Sequence, residues 1–302
     1  MRAGQSLSSL TSTLLTQLEN CFSGQRPDLV LGHGDTTTCF STALSCFYHR
    51  IPFFHVEAGL RTYLLDTPFP EEFNRQSIAL LARHHFAPTQ IERQNLLHEG
   101  IRASSITVTG STVHDAVELI RAKNSPMGNP LPFQLPQDKK IIAVTLHRRE
   151  GLHSLENTLH GIRLAAEARA DALFICPIHP NPIVQSAFRK CLGDIENVKL
   201  VQALDYASFI KLLLKTDLVL TDSGGVQEEA SLLGKKTLIA RTKTERDDGI
   251  KDGLVSLVGV NPENIFSSIN KNLDCNALFI RSAKPEKRSA EIITDYVEKA
   301  VV

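Results

Sequence analysis

The chain has 302 residues, 42% hydrophobic and 22% charged, which excludes a disulfide miniprotein, a fibrous chain and wholesale disorder and sets an expectation of about two domains. Lysine plus arginine and aspartate plus glutamate each number 33, so no global field draws nucleic acid or an anionic membrane, and anions must be bound locally. The six cysteines form no CxxC pair, and no apolar run approaches the ~18–20 residues of a membrane span, the usage expected of a reduced, cytoplasmic protein.

Leu7, Leu10, Leu14, Leu18 and Cys21 recur at helical spacing, so the opening segment reads as an amphipathic helix. Four short apolar runs follow, at 28–32, 52–56, 85–88 and 106–109, separated by longer helical patterns. Residues 124–136 hold four prolines and a glycine, cannot continue a helix or a central strand, and mark the domain boundary. Six more runs lie at 141–145, 173–176, 198–201, 217–221, 236–239 and 255–258, before a final helical pattern from 286 to 301. These runs do not alternate; they are apolar throughout, as strands buried on both faces of a parallel sheet must be. The class is α/β.

In doubly wound sheets ligands sit beyond the carboxyl ends of strands. Those positions carry HGDTTT (33–38), HVEAGLR (55–61), HRRE (147–150), HPNP (179–182) and DSGGVQEE (222–229). The last is a strand, then Ser223-Gly224-Gly225, then a helix, which suits a phosphate held by backbone N–H groups, with Glu228 or Glu229 one turn on for a ribose diol. Each signal has a plainer reading. Asp35 suits a helix cap, Glu57 an ion pair with Arg61, Glu71 and Glu72 a helix dipole, and HRRE a solvated charge run. Zinc on His33, His55, His147 and His179 lacks a close pair of ligands from one element, and His84 and His85 read as structural.

The ordered blocks HGDTTT (33–38), HVEAGLRT (55–62), PFPEEFNR (68–75), HFAPT (85–89), TGSTVHDA (109–116), HRREG (147–151), HPNP (179–182), TDSGGVQEEA (221–230) and TERDDG (244–249) resemble the non-hydrolysing UDP-N-acetylglucosamine 2-epimerases. The resemblance implies a GT-B-like fold: two Rossmann-like parallel-sheet domains with the active site in the cleft between them. The expected division is a shortened N-terminal domain at 1–125, joined by the helix at 286–302, and a UDP-binding domain at 126–285. It implies interconversion of UDP-GlcNAc and UDP-ManNAc by anti elimination of UDP and its re-addition, with no metal and no cofactor. UDP-GlcNAc and UDP are the expected partners, nucleic acid and membrane are not, and a homodimer is left open.

By motif matching, Asp35, Glu57 and Glu71 are the essential acids and His147 the essential histidine. Ser223, Gly224 and Gly225 hold phosphates, Glu229 the ribose, and His179 and Arg246 the diphosphate side. Thr36 stands where the hydrolysing relatives carry arginine, which favours epimerisation without hydrolysis. TERDDG departs from the family's TERPE, and the family's opening strand and GTRPE turn have no counterpart, the match starting near GQSL (4–7). Without those units the expectation is exposed apolar strand surface in the N-terminal half, UDP binding by the C-terminal half, and slowed epimerisation. The rival readings are a UDP-sugar-binding protein without turnover and a UDP-sugar hydrolase or glycosyltransferase on the same fold.

Overall fold

The computed structural model describes residues 5–122, 131–146, 154–241, 253–274 and 287–301. All ten expected strands form: β1 (Val30–His33), β2 (Phe53–Val56), β3 (His84–Ala87), β4 (Ile106–Val108), β5 (Lys140–Thr145), β6 (Ala172–Ile178), β7 (Val198–Gln202), β8 (Leu218–Thr221), β9 (Lys236–Ile239) and β10 (Val255–Leu257). The helices are α1 (Leu7–Gly24), α2 (Thr37–His49), α3 (Glu71–Leu81), α4 (Gln90–His98), α5 (Thr112–Ala122), α6 (Leu155–Ala168), α7 (Pro182–Leu192), α8 (Tyr206–Lys215), α9 (Gly224–Leu232), α10 (Pro262–Leu273) and α11 (Ser289–Val301). Every strand pairing is parallel, in a four-stranded sheet β1-β2-β3-β4 and a six-stranded sheet β10-β9-β8-β5-β6-β7. The chain divides into two compact units, Met1–Asp115 with Lys284–Val302, and Ala116–Ala283. No helix among the described residues is long and apolar enough to cross a membrane.

The first unit is built around two faces of its sheet. One face packs Phe53 against Phe22 of α1, Cys39, Ala43 and Cys46 of α2 and Ile78 of α3. The other packs Phe54, Val56 and Phe86 against Ile293 and Tyr296 of α11. The last helix is anchored at its start as well, where the Ala290 N–H donates to the Asp115 carboxylate at 2.8 Å. On the edge strand β1, Leu31 is exposed.

Strand alternation sends His84 and His85 to opposite faces. His84 stacks on Tyr296 with ring centroids 3.8 Å apart and hydrogen-bonds the Thr107 hydroxyl at 2.9 Å. His85 stands beside His55 in the β2–β3 register, and both are buried. Both side chains of the pair 84–85 are therefore structural, as their position in an apolar strand indicates.

In the second unit Phe174, Phe188, Ile142, Leu159, Ile162 and Leu220 form a continuous core between the sheet and its helices. Helices α6 and α10 approach so closely that a Cβ on Gly161 would lie 2.6 Å from the Pro262 carbonyl oxygen, so only glycine fits there. The chain leaves β5 through β6 and β7 on one side and returns to β8, β9 and β10 on the other. The strand order therefore reverses between β5 and β8.

Burial pushes His55 and His84 down to about 4 and His85 to about 3, from an ordinary 6.5. The unfolded chain protonates these rings near pH 6.5 while the folded chain resists until pH 4 or 3, so their contribution is complete above pH 6.5 and lost as pH falls through that window. The urea midpoint, followed by circular dichroism, is expected to fall steeply across that range and less steeply in His85→Gln. An identical slope in the variant would remove His85 from the acid response.

Candidate functional site

In the first unit, β1 runs into Gly34 with φ +72, a conformation that suits glycine alone at low cost. The Gly34 N–H donates to Val56 O at 3.0 Å and its carbonyl accepts from His55 Nε2 at 2.8 Å, which pins the turn to β2. That bond uses the Nε2–H tautomer of a neutral imidazole, consistent with the strongly lowered His55. Asp35 follows, partly exposed, at the approach to α2.

The plainer reading of Asp35 as the helix cap is corrected here. Thr36 caps α2, its hydroxyl accepting from Cys39 N at 3.2 Å. Asp35 Oδ2 instead lies 3.3 Å from Arg75 Nε, and the Asp35 carbonyl accepts from Asn74 Nδ2 at 2.9 Å.

Glu57 follows β2 with φ 65, a left-handed backbone that costs a non-glycine residue about 1–2 kcal/mol. Such strain collects where a side chain must be aimed. Its carboxylate lies over the first turn: a Cβ on Gly34 would sit 3.4 Å from Glu57 Oε2, and His33 Nε2 is 3.7 Å from the same oxygen. The expected alternative pair with Arg61 does not form, because Arg61 makes a two-pronged bond to Glu99, both contacts at 2.6 Å. Cys39, beneath the two turns, is pushed up to about 12 by burial and then by the charges of Asp35 and Glu57.

Glu71 opens α3 with Glu72 beside it, both favoured by the helix N-terminus. Glu72 is wholly buried, and its carboxylate accepts from Thr62 N and Tyr63 N at 3.0 Å each and from Gln76 Nε2 at 2.7 Å. Burial pushes this carboxyl up, yet Gln76, the Thr62 N–H, Arg75 and the Tyr63 N–H together outweigh it and hold the group below its ordinary range.

In the second unit, the reversal between β5 and β8 is where a doubly wound sheet opens a crevice beyond its strand ends. Thr145 and Thr221, the last residues of those strands, hydrogen-bond through their hydroxyls at 2.7 Å. The Asp222 N–H donates to Thr145 O at 3.2 Å and the Ser223 N–H to Thr221 Oγ1 at 3.0 Å, so the turn into α9 is held by both strands.

Ser223 caps α9, which begins at Gly224. Among the described residues, a Cβ on Gly225 would meet only Ser223 Oγ, at 3.9 Å. One turn on, Glu228 and Glu229 are buried, and the Tyr206 hydroxyl is pushed up by burial and by the charges of both. His179 is exposed after β6, with Nδ1 accepting from Asn181 N at 3.2 Å.

The structure thus groups Asp35, Glu57 and the start of α3 in one unit, and Ser223, Gly224, Gly225 and Glu229 at the strand reversal of the other. His147 and Arg246 lie outside the described residues. Asn74 and Arg75 carry no role of their own in the sequence reading and Glu72 only that of a helix-dipole acid; the signal for the ion pair is the i,i+3 spacing of Glu72 and Arg75 inside PFPEEFNR. Among the described residues no three His, Cys, Asp or Glu side chains converge as a metal site requires.

The profile of the family described as UDP-N-acetylglucosamine 2-epimerase matches residues 1–292. The UDP-N-acetylglucosamine 2-epimerase of Bacillus subtilis is 43% identical over 267 residues, 88% of this chain and 70% of the relative. That of Escherichia coli K12 is 42% identical over 281 residues, 90% of this chain and 74% of the relative. Among solved structures, the Neisseria meningitidis UDP-GlcNAc 2-epimerase bound to UDP-GlcNAc superposes with a TM-score of 0.90 at 36% identity, covering 99% of this chain and 84% of that one.

Proposed function

The chain belongs to the UDP-N-acetylglucosamine 2-epimerase family and is an isomerase, and we propose that it interconverts UDP-GlcNAc and UDP-ManNAc by eliminating UDP and re-adding it to the opposite face. The observation that carries this reading is the placement of Asp35 and Glu57 on adjoining strand-end turns, with the Glu57 carboxylate over Gly34. Inverting C2 requires a proton to leave one face and arrive at the other, and the proton there is weakly acidic. Carboxylates fixed in a partly buried setting suit both tasks. Asp35, Glu57 and Glu71 carry the proton transfers.

The departing diphosphate gains charge, which is met by His147 and Arg246 and, at the start of α9, by the N–H groups of Ser223, Gly224 and Gly225. His179 contacts the diphosphate. Glu229, buried one turn into α9, receives the ribose diol. Thr36 is occupied in capping α2 and adds no cation beside Asp35, in keeping with epimerisation rather than hydrolysis. The cysteine usage supports a cytoplasmic enzyme, and the product suits polysaccharide biosynthesis.

Two experiments test these roles. Amide replacement of Asp35, Glu57 or Glu71 is expected to slow turnover by roughly 10²–10⁴-fold while leaving UDP affinity nearly unchanged, with deuterium uptake at C2 from D₂O falling in parallel. Near-normal exchange in all three variants would sink the assignment. Separately, Gly224→Val places a branched side chain where backbone must approach a phosphate, so calorimetry is expected to register no UDP binding while the circular dichroism spectrum is retained. Unchanged affinity would return the segment to an ordinary turn.

A further inference from the structure

We propose that Arg75 is a positioning residue for the reaction: its guanidinium, balanced by the buried Glu72 on one side, holds the Asp35 carboxylate charged and aimed on the other. The inference rests on the reading of Asp35 as a proton-transfer group. It begins from a buried cation shared unequally between two anions. Arg75 Nε is 3.3 Å from Asp35 Oδ2 and 3.4 Å from Glu72 Oε2, and it also reaches the Glu71 carbonyl at 3.4 Å. The Arg75 side chain is 3% exposed, Glu72 is 0% exposed and Asp35 is 27% exposed.

The two anions differ in what else they do. Glu72 is committed: two backbone N–H groups and Gln76 fill its oxygens, so it is a permanent negative charge that lets a guanidinium stay buried. Asp35 is the anion that meets solvent, and hence substrate. Its backbone is held separately, by Asn74 on its carbonyl, one residue before Arg75 on the same helical turn. One turn of α3 therefore grips both ends of Asp35.

A second observation singles out the guanidinium. Arg75 Nη1 is buried without a hydrogen-bond partner, and an orphaned donor of this kind is costly because its desolvation goes uncompensated. A group kept for packing alone would be relieved of that cost by a shorter or neutral side chain. Retaining a planar, permanently charged group there makes sense if its field and its rigid fork are what the carboxylate needs.

Among the described residues, the charged and titratable groups gathered at Asp35 are Arg75 and Glu72 from α3, Cys39 from α2 and Glu57 after β2, with His33 on β1 beside Glu57. Cys39 is pushed up to about 12 and stays neutral at working pH. Among the described residues, Arg75 is the cation at ion-pair distance from Asp35.

The test is a titration that does not depend on turnover. In the 302-residue chain carrying carboxyl-labelled aspartate, the Asp35 resonance is assigned by its loss in Asp35→Asn and followed against pH. Removing both buried charges, in Glu72→Gln with Arg75→Gln, is expected to raise the Asp35 midpoint, by less than the roughly one to three pH units that an unopposed arginine supplies, because the loss of Glu72 offsets part of the loss of Arg75. Glu72→Gln alone gives Asp35 the undivided field of Arg75 and lowers the midpoint, while Arg75→Lys keeps it near wild type.

A merely structural Arg75 would not produce shifts of opposite sign. The inference is overturned if the folded double variant titrates as wild type does, or if Glu72→Gln raises the midpoint. C2 deuterium exchange in Asp35→Asn separates the two claims. Retained exchange there defeats the catalytic reading of Asp35, whereas lost exchange with an unmoved midpoint in the double variant defeats only the role of Arg75.

Discussion

A parallel strand covered on both faces has no place along its length for a solvated charge. Every strand pairing in both sheets is parallel, and β2, β3 and β8 are buried at each position. Along those buried strands charged and glycine-rich residues gather beyond the strand ends, and because the strands of each sheet share one direction, the carboxyl ends within a sheet share one edge. Asp35, Glu57, His179 and Ser223 all sit just past such ends. The polar turns at 33–38, 55–61, 179–182 and 222–229, unrelated in sequence, thus follow from burying parallel β-structure.

Within the first unit that constraint leaves a difficulty, because two acidic turns must be held close together against their own repulsion. The solution is α3. Glu72 ties the 62–63 segment to the helix, Asn74 ties down the Asp35 backbone, and Arg75 supplies the positive charge. The histidines underneath contribute differently: His55 is kept neutral by burial and donates to the Gly34 carbonyl, so it fixes the turn without adding charge. A protonated imidazole there would alter both the geometry and the field at Asp35.

In the second unit the corresponding work falls to the strand order. Reversal of the strand order between β5 and β8 leaves the ends of two parallel neighbours adjacent while the chain leaves them toward opposite edges of the sheet. The Thr145–Thr221 hydroxyl bond closes the floor of that gap, and α9 starts directly above it with glycines at its first positions. Glu229 on α9 and Tyr206 on α8 lie close enough, though distant in sequence, for the carboxylate to push the phenol up.

Sequence alone determined the strands, the parallel class and the strand-end turns, because apolar runs without alternation and punctuating glycines and prolines are local signals. Ser223-Gly224-Gly225 was legible for the same reason: a strand, two glycines and a helix are contiguous. Only the tertiary structure decided which charge meets which. Arg61 pairs with Glu99 rather than Glu57, Thr36 rather than Asp35 caps α2, and Asp35 meets Arg75 across 40 residues of chain. Ion-pair partners depend on distances that chain spacing does not encode, so α3 reads in sequence as an acidic helix start. It becomes the support of the acidic cluster only when the sheet brings β1 and β2 beneath it.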